Sequence, residues 1–434
     1  MIIIATLFFI IASMVVYKGI SNVLLKKDPN VFTALLFGCY FYYGVIPYII
    51  QLNNNLGTTL NRDYIEFLGN YKMSDVFYYL IVLAFLYVLT SSYSNYTINS
   101  PNFNNIIYKK YLKYATFISI TIGVSCSLLY YHSLGGIRQA LAMAEFNRSF
   151  ANSMESVMGG MYILFFPAKL IVLTPFLMSL YMAEGYNKKK NIAFIVTAIL
   201  SLIFYLYDAS RSSLVIYLMA LSFPYIQKIT KTPWTLIIAA GIGGSFMLNV
   251  LDTLFIYFAS DEFEIENFDL FSIVRQFSFP YRNVLYSFEI LDTTYLRVGI
   301  DLITSFLEFI PGLSFDSTVE PTSAFFGGSD WRLGGGIPND VITYSIIEFH
   351  IVGVLLMPFI LGRLVKKIDI ALELLSDQAT DKKYIVIVKS YLMFLAFFFV
   401  TSADFNAVLQ GFSLFVFPFI LLKSLKSYRT NRIY

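Results

Sequence analysis

Charge, cysteine and histidine are all scarce in this chain of 434 residues. Charged residues make up 14% of the sequence and hydrophobic residues 57%, whereas soluble domains have about 25% and about 45–50%. The mean hydropathy of +0.66 agrees with this surplus of apolar residues. Because a soluble fold cannot bury so much apolar surface, the composition excludes a soluble globular protein and requires lipid.

The two cysteines, Cys39 and Cys126, lie in apolar runs, where a thiol behaves as a small hydrophobe. They indicate neither a disulfide framework nor a thiolate metal site. The two histidines, His132 and His350, are too few for a histidine-based metal site. The acidic run at residues 261–266 offers oxygen ligands for a divalent cation, but we favour a solvated acidic face. No metal and no other cofactor is predicted.

Several functional classes lack their sequence signatures. The net charge of +3 is the small remainder of 31 basic and 28 acidic residues, so it indicates no nucleic-acid partner. We find no Walker loop, no dinucleotide fingerprint and no Ser/His/Asp spacing, which disfavours ATP-driven transport and lipase chemistry. The first apolar run, residues 1–17, has no basic segment before it and no cleavage site after it, so we expect a retained helix.

Long apolar runs dominate what the sequence does contain. Each is long enough to cross a hydrocarbon core of about 30 Å. They predict an all-α polytopic membrane protein, with a single integral membrane domain over residues 1–434 and about eleven transmembrane helices. The runs lie at residues 1–17, 30–51, 75–92, 112–133, 160–183, 191–207, 209–226, 233–257, 341–362, 384–402 and 407–422.

Lysine and arginine alternate between the two sets of connecting segments. One set contains 20 of these cations and the other, although longer, contains nine. Since translocated loops are depleted of basic residues, the first set is predicted to be cytoplasmic. This orientation puts the N-terminus outside and the C-terminus in the cytoplasm.

The two sets also differ in which cation they use. The predicted cytoplasmic set has 17 lysines and three arginines, whereas the predicted outer set has eight arginines and one lysine. The arginine fork binds phosphate through two parallel hydrogen bonds, which lysine cannot do. The outer arginines therefore suggest an oligoanionic ligand, although pairing with nearby acids or snorkelling at helix ends also explains individual arginines.

The longest connecting segment, residues 258–340, is too long for a simple connector and is predicted to lie outside. It contains an aromatic and basic stretch at 275–282, then apolar residues at helical spacing over 295–310, which predict an amphipathic helix on the membrane surface. A glycine-rich stretch at 325–340 surrounds Arg332 and precedes the ninth helix. Glycines and a helix N-terminus favour a phosphate cradle here, with an ordinary Gly/Pro turn as the alternative.

Other polar residues give weaker signals. Arg138 and Arg148 fall on a predicted short helix in the loop after the fourth run, where a solvated surface helix is an equal alternative. Lys169 lies inside the fifth run, so either a function or pairing with a carboxylate such as Asp252 is expected.

Three local patterns carry a resemblance to a known family. They are Gly-Ile-Arg with Asn-Arg-Ser at 136–138 and 147–149, the turn Asp-Ala-Ser-Arg-Ser-Ser at 208–213, and the glycine-rich segment, proline and helix at 334–353. With the organisation of most of the chain, these patterns resemble bacterial O-antigen and oligosaccharide repeat-unit polymerases, often called Wzy. The chain departs from the family at Tyr344 and His350, where the family often has Glu and Gly.

The resemblance implies a glycosyltransferase with a GT-C-like architecture in the bacterial cytoplasmic membrane. Its substrates are oligosaccharides carried on undecaprenyl diphosphate. The growing chain passes from its carrier to the non-reducing end of a new lipid-linked unit, at the outer face. Expected partners are this lipid-linked oligosaccharide, membrane lipids, and a chain-length regulator and flippase of the same pathway.

The resemblance and the outer polar residues together define a candidate site. The candidate bases that deprotonate the acceptor are Asp208, Asp340 and Glu348. The candidate sugar-stacking residues are Tyr281 and Trp331, although interfacial aromatic belts also explain them. The candidate diphosphate-binding residues are Arg138, Arg148, Arg211, Arg275, Arg282 and Arg332.

Two other functions remain open. An O-antigen ligase has a similar fold and lipid donor but a different acceptor, and the sequence separates it poorly from a polymerase. A lipid-oligosaccharide flippase or other transporter is expected to show paired half-repeats and charges at the bilayer midplane. Neither feature is evident, and the long outer loop fits a transporter badly.

Overall fold

A computed structural model describes thirteen stretches of the chain, and it is helical wherever regular structure is described. The stretches are residues 2–26, 29–55, 73–96, 109–133, 135–136, 164–183, 187–207, 214, 217–223, 277–307, 319–327, 339–379 and 382–403. Within them there is no strand. The predicted all-α class is confirmed for this part of the chain.

We number the helices in chain order. The first eight are α1 Ile2–Lys26, α2 Val31–Tyr40, α3 Ile46–Asn55, α4 Asp75–Asn95, α5 Lys109–Ser133, α6 Phe165–Ala168, α7 Leu170–Ala183 and α8 Lys188–Tyr207. The remaining seven are α9 Phe279–Leu285, α10 Ser287–Thr293, α11 Ile300–Leu307, α12 Val319–Gly327, α13 Val341–Phe349, α14 Gly353–Gln378 and α15 Lys382–Phe399. A π-helical turn, Phe41–Val45, joins α2 to α3.

Five helical runs in the described part are long and apolar enough to cross a membrane. They are Ile3–Ser21, Val31–Leu52, Asp75–Asn95, Lys113–Ser133 and Val341–Asp377. Two shorter apolar helices, Leu170–Ala183 and Tyr384–Phe399, accompany them. The chain is therefore a helical membrane protein, and each of these runs overlaps a predicted one, although Val341–Asp377 extends 15 residues beyond the predicted run at 341–362. The predicted runs at 233–257 and 407–422 lie outside the described residues.

Two predicted helices are interrupted in the structure. The run at 341–362 breaks at His350, which adopts φ 56° and ψ −156° and separates α13 from α14. A positive φ cannot continue a right-handed helix, and nothing in the residue type signals it. Lys169 lies in a turn between α6 and α7, two residues after Pro167, rather than inside a continuous helix. Asp252, its predicted partner, lies outside the described residues.

The core forms where pairs of helices run side by side. α4 packs along α14, α2 along α15, and α7 between α5 and α8. A Cβ built on Gly362 of α14 would lie 1.9 Å from the Ser92 hydroxyl oxygen, and one on Gly123 of α5 would lie 2.7 Å from the Ile171 amide nitrogen. Glycine at these two contacts lets the helices approach closely, as in other membrane bundles.

The described parts of the predicted 258–340 loop fold into the four short helices α9–α12. Helices α9 and α10 pack against α13, and α12 packs against α10. The amphipathic helix predicted over 295–310 begins later, at Ile300, because Val298 and Gly299 have φ of 50° and 78°. Its Ile303 is 63% exposed while Asp301 is buried, so part of the apolar surface of α11 faces away from the protein.

Candidate functional site

Helix α13 contains several buried polar groups near the predicted site. Thr343, Ser345 and Glu348 on this helix, and Asp340 at its start, have no accessible surface. Asp340 and Glu348 are eight residues apart, which corresponds to about 12 Å along a helix. The two candidate carboxylates therefore lie at opposite ends of α13. We call this helix together with α9–α12 the α13 unit.

Asp340 is the N-cap of α13. Its Oδ1 accepts hydrogen bonds from the backbone N–H groups of Ile342 and Thr343, both at 3.1 Å, and from the Tyr43 hydroxyl at 2.6 Å. Aspartate is among the preferred N-cap residues because it pairs helix N–H groups that otherwise have no partner. Burial raises the pKa of the Asp340 carboxyl to about 6, and the hydrogen bonds from Thr343 and Tyr43 oppose this rise. This carboxyl group thus has a clear structural role.

The start of α13 is also tied to two distant segments. The backbone N–H of Val341 donates to the Val400 carbonyl at 3.0 Å, and the N–H of Ala403 donates to the Asn339 carbonyl at 2.8 Å. The Thr322 hydroxyl of α12 bonds the Asn339 side chain. These bonds hold the candidate base Asp340 in one position relative to α12 and the end of α15.

Tyr281, a predicted sugar-stacking residue, lies in the protein core. It is 1% exposed, its ring packs edge-on against Tyr78 with centroids 5.0 Å apart, and its hydroxyl accepts a hydrogen bond from the Gln51 amide at 3.1 Å. Tyr78 in turn donates to the Tyr43 carbonyl at 3.0 Å. Stacking of the Tyr281 ring on a sugar would require this packing to open. The observed role of the ring is to join α9 to α3 and α4.

Arg282 is the one predicted diphosphate-binding arginine that lies in the described part of the chain. Its side chain is half-buried on α9, and its guanidinium carbon lies 3.7 Å from the centroid of the Phe326 ring on α12. Tyr286, one turn later, lies 5.7 Å from both Phe325 and Phe326, measured between ring centroids. Stacking on a ring fixes the plane of a guanidinium.

The other predicted site residues are not described by the structure. Its described stretches exclude the arginines of the predicted outer loops, one candidate base and one candidate stacking residue. These are Arg138, Arg148, Arg211, Arg275, Arg332, Asp208 and Trp331. Their proximity to α13 therefore stays a prediction.

A buried charge cluster at the end of α13 was not predicted. Arg297 forms an ion pair with Asp301, Nη2 to Oδ1 at 2.5 Å, and its Nε lies 3.7 Å from Oε1 of Glu348. The three side chains are 3%, 8% and 0% exposed. With all three groups ionised, the cluster carries one net negative charge in a site where water is excluded.

The backbone around this cluster closes the end of α13. The N–H of Val298 donates to the Glu348 carbonyl at 2.7 Å, and the N–H of Arg297 donates to the Ile347 carbonyl at 3.3 Å. The last carbonyls of a helix have no partner within it, so the segment before α11 supplies partners that a continuous helix would not need. This contact stabilises the helix break at His350.

Part of this cluster had a sequence signal. Glu348 was a candidate base, and Arg297 is one of the eight arginines in the predicted outer set. Nothing in the sequence indicated that these two residues pair, because 51 positions separate them in the chain.

Searches with this chain found no matching family model, no matching curated protein and no matching solved structure.

Proposed function

We propose that this chain is a membrane glycosyltransferase that polymerises oligosaccharide repeat units carried on undecaprenyl diphosphate. The observation that carries the proposal is the α13 unit. In this unit, segments between two hydrophobic runs pack against α13, Arg282 stacks on the Phe326 ring, and the buried carboxylates Asp340 and Glu348 lie at the two ends of α13. In this proposal the arginine binds the anionic carrier and a carboxylate accepts the proton of the acceptor hydroxyl.

The proposed reaction transfers a glycan between two lipid carriers. The acceptor hydroxyl oxygen forms a bond to the anomeric carbon of the growing chain, and the bond from that carbon to the diphosphate oxygen breaks. The electron pair of the broken bond stays on the diphosphate, which leaves with its lipid. The hydroxyl proton goes to a carboxylate and then to solvent, so the transfer needs neither nucleotide nor metal.

Electrostatic stabilisation supplies most of the catalysis in this proposal. Charge grows on the diphosphate as the bond breaks, and preorganised arginines at the edge of a low-dielectric membrane stabilise that charge strongly. Arg282 is suited to this task, since the Phe326 ring holds its guanidinium plane in position. Asp340 and Glu348 are the candidate bases in the described part of the chain.

A detergent assay tests the proposal directly. Purified protein with its native lipid-diphosphate-linked repeat units, without nucleotide and with EDTA present, is expected to yield a ladder of longer glycans on a gel. The matched control is Lys188→Ala, which removes an exposed cation on α8 outside the α13 unit and should leave the ladder unchanged. A transporter produces no ladder, because it forms no glycosidic bond.

Gene deletion separates the polymerase from its alternatives. Cells without the gene are expected to carry surface glycan with a single repeat unit, since flipping and ligation continue without chain growth. Loss of a ligase or a flippase removes even that single unit. Absence of any attached repeat unit, together with no chain growth in detergent, would replace the polymerase proposal with one of these two.

A further inference from the structure

A polar cavity lies between α4 and α14, away from the α13 unit. It has a volume of about 160 Å³ and opens to the outside of the bundle. Its lining residues are Ser91, Ser92, Asn95, Tyr96, Phe359 and Arg363. Next to it the two helices touch through Gly362 and Ser92, whose hydroxyl donates to the Pro358 carbonyl at 3.2 Å.

Arg363 is held at this cavity by two aromatic rings. Its guanidinium carbon lies 4.0 Å from the centroid of Phe359, one turn earlier on α14, and 5.2 Å from that of Tyr96 at the end of α4. The side chain is exposed, and no ion pair of Arg363 occurs among the described residues. Stacking on rings leaves the edge of the guanidinium fork available to bind an oxyanion.

The cavity lies at one boundary of the membrane. Helix α4 has 21 residues, which corresponds to about 32 Å, close to the thickness of the hydrocarbon core. Its last residue, Asn95, lines the cavity. Lys366 lies over the Tyr93 ring at 4.5 Å, and tyrosine with lysine at a helix end is typical of the head-group region.

The opposite end of α4 contacts the α13 unit. There Tyr78 packs on Tyr281, and Phe77 packs on Phe288 with ring centroids 6.0 Å apart. The cavity and the candidate glycosyltransferase site therefore lie at opposite membrane boundaries, so a ligand of the cavity is not the substrate of that site.

Apolar side chains on the outer surface of α14 continue from the cavity toward the centre of the membrane. Leu355, Phe359 and Ile360 are each between 38% and 51% exposed. Exposed apolar residues on a transmembrane helix face lipid chains. A molecule with an anionic head group in the cavity would thus have apolar surface beside it for its tails.

We propose that this cavity binds the phosphate group of an anionic phospholipid. Basic pockets between transmembrane helices near the membrane surface are recognised sites for such head groups. Arg363 provides the bidentate donor and the Asn95 amide a neutral donor. The Ser91 hydroxyl lines the cavity and donates its own hydrogen bond to the Val88 carbonyl at 3.2 Å. The predicted cytoplasmic set has three arginines. Arg429 and Arg432 belong to the C-terminal tail, so Arg363 is the one arginine in a cytoplasmic loop of that set.

Native mass spectrometry of the delipidated full-length protein tests the site. Phosphatidylglycerol is expected to stay bound at concentrations at which phosphatidylcholine does not. Arg363→Lys keeps the charge but loses the bidentate fork, and should weaken phosphatidylglycerol binding about tenfold. The control Lys367→Ala removes an exposed cation outside the cavity lining, and should change binding by less than about twofold.

A second variant distinguishes lipid binding in the cavity from attraction of the lipid to general surface charge. Ser91→Phe fills the cavity without changing any charge and should also weaken phosphatidylglycerol binding, with the melting temperature in detergent as the folding control. Equal effects of Arg363→Lys and Lys367→Ala, or unchanged binding in Ser91→Phe, would overturn the proposal. Displacement of the lipid by inorganic phosphate at equal concentration would also overturn it, in favour of a free phosphate ligand.

Discussion

At the scale of residues, the buried carboxylates Asp340, Asp301 and Glu348 of the α13 unit lie beside hydrogen-bond donors or an opposite charge. The Asp340 carboxyl pairs the first N–H groups of a helix, and Glu348 and Asp301 share one arginine, Arg297. An isolated charge costs several kcal/mol to bury, so these pairings are needed for folding. Arg282, stacked on the Phe326 ring, is the described cation of this unit to which we assign a role in substrate binding.

Arg282→Lys should retain protein level but lower the rate of chain growth at least tenfold, because lysine supplies a point charge without a planar fork. The measurement is the initial rate of ladder formation in the detergent assay. The control is Arg429→Lys, the same chemical change in the C-terminal tail, and it should keep the full rate. Full activity of Arg282→Lys would show that this side chain supplies only charge or packing.

At the scale of elements, the break between α13 and α14 shapes the candidate site. A Cβ built on Gly353 would lie 1.9 Å from the Ser345 carbonyl oxygen, so α14 begins in direct contact with the backbone of α13. This contact and the hydrogen bonds from residues 297 and 298 fix the angle between α13 and α14.

Gly353→Ala should therefore displace α13 and destabilise the protein by about 1–3 kcal/mol, the usual cost of overpacking. The expected readouts are a lower melting temperature in detergent and slower chain growth. Val352→Ala, which shortens a side chain that is 61% exposed one residue earlier, serves as the control and should change neither. Unchanged stability in Gly353→Ala would mean that the helix break relaxes without cost.

At the scale of the whole molecule, α4 and α14 set the distance between the α13 unit and the Arg363 cavity. Both helices run from the α13 unit toward the Arg363 cavity, so the chemistry proposed for each region belongs to a different membrane face. The predicted orientation, from the distribution of lysine and arginine, puts the α13 unit outside.

Cysteine labelling tests this orientation. In a protein whose Cys39 and Cys126 are replaced by alanine, a single cysteine at Thr293, exposed at the end of α10, should react with an impermeant thiol reagent in intact spheroplasts. One at Asp377, exposed near the end of α14, should react only after permeabilisation. The reverse pattern would move the α13 unit to the cytoplasmic side and exclude the outer-face polymerase proposed above.

The sequence by itself determined the membrane class and the position of most described helices. The thickness of the bilayer sets the length of an apolar run, so the run predicted at 75–92 appears as Asp75–Asn95 and that at 191–207 as Lys188–Tyr207. Asp340 before an apolar run likewise indicates from sequence where a helix starts. An N-cap side chain bonds N–H groups only two or three residues later, so the signal is local.

Only the tertiary structure decided the helix break at His350 and the pairing of Arg297 with Glu348. A positive φ at a non-glycine residue is imposed by its surroundings, here by the close contact of Gly353 with Ser345. The ion pair joins segments that meet only after α10, α11 and α13 have packed, and residue type alone does not specify such distant partners. The cavity at Arg363 has the same origin, since it exists only where α4 and α14 lie side by side.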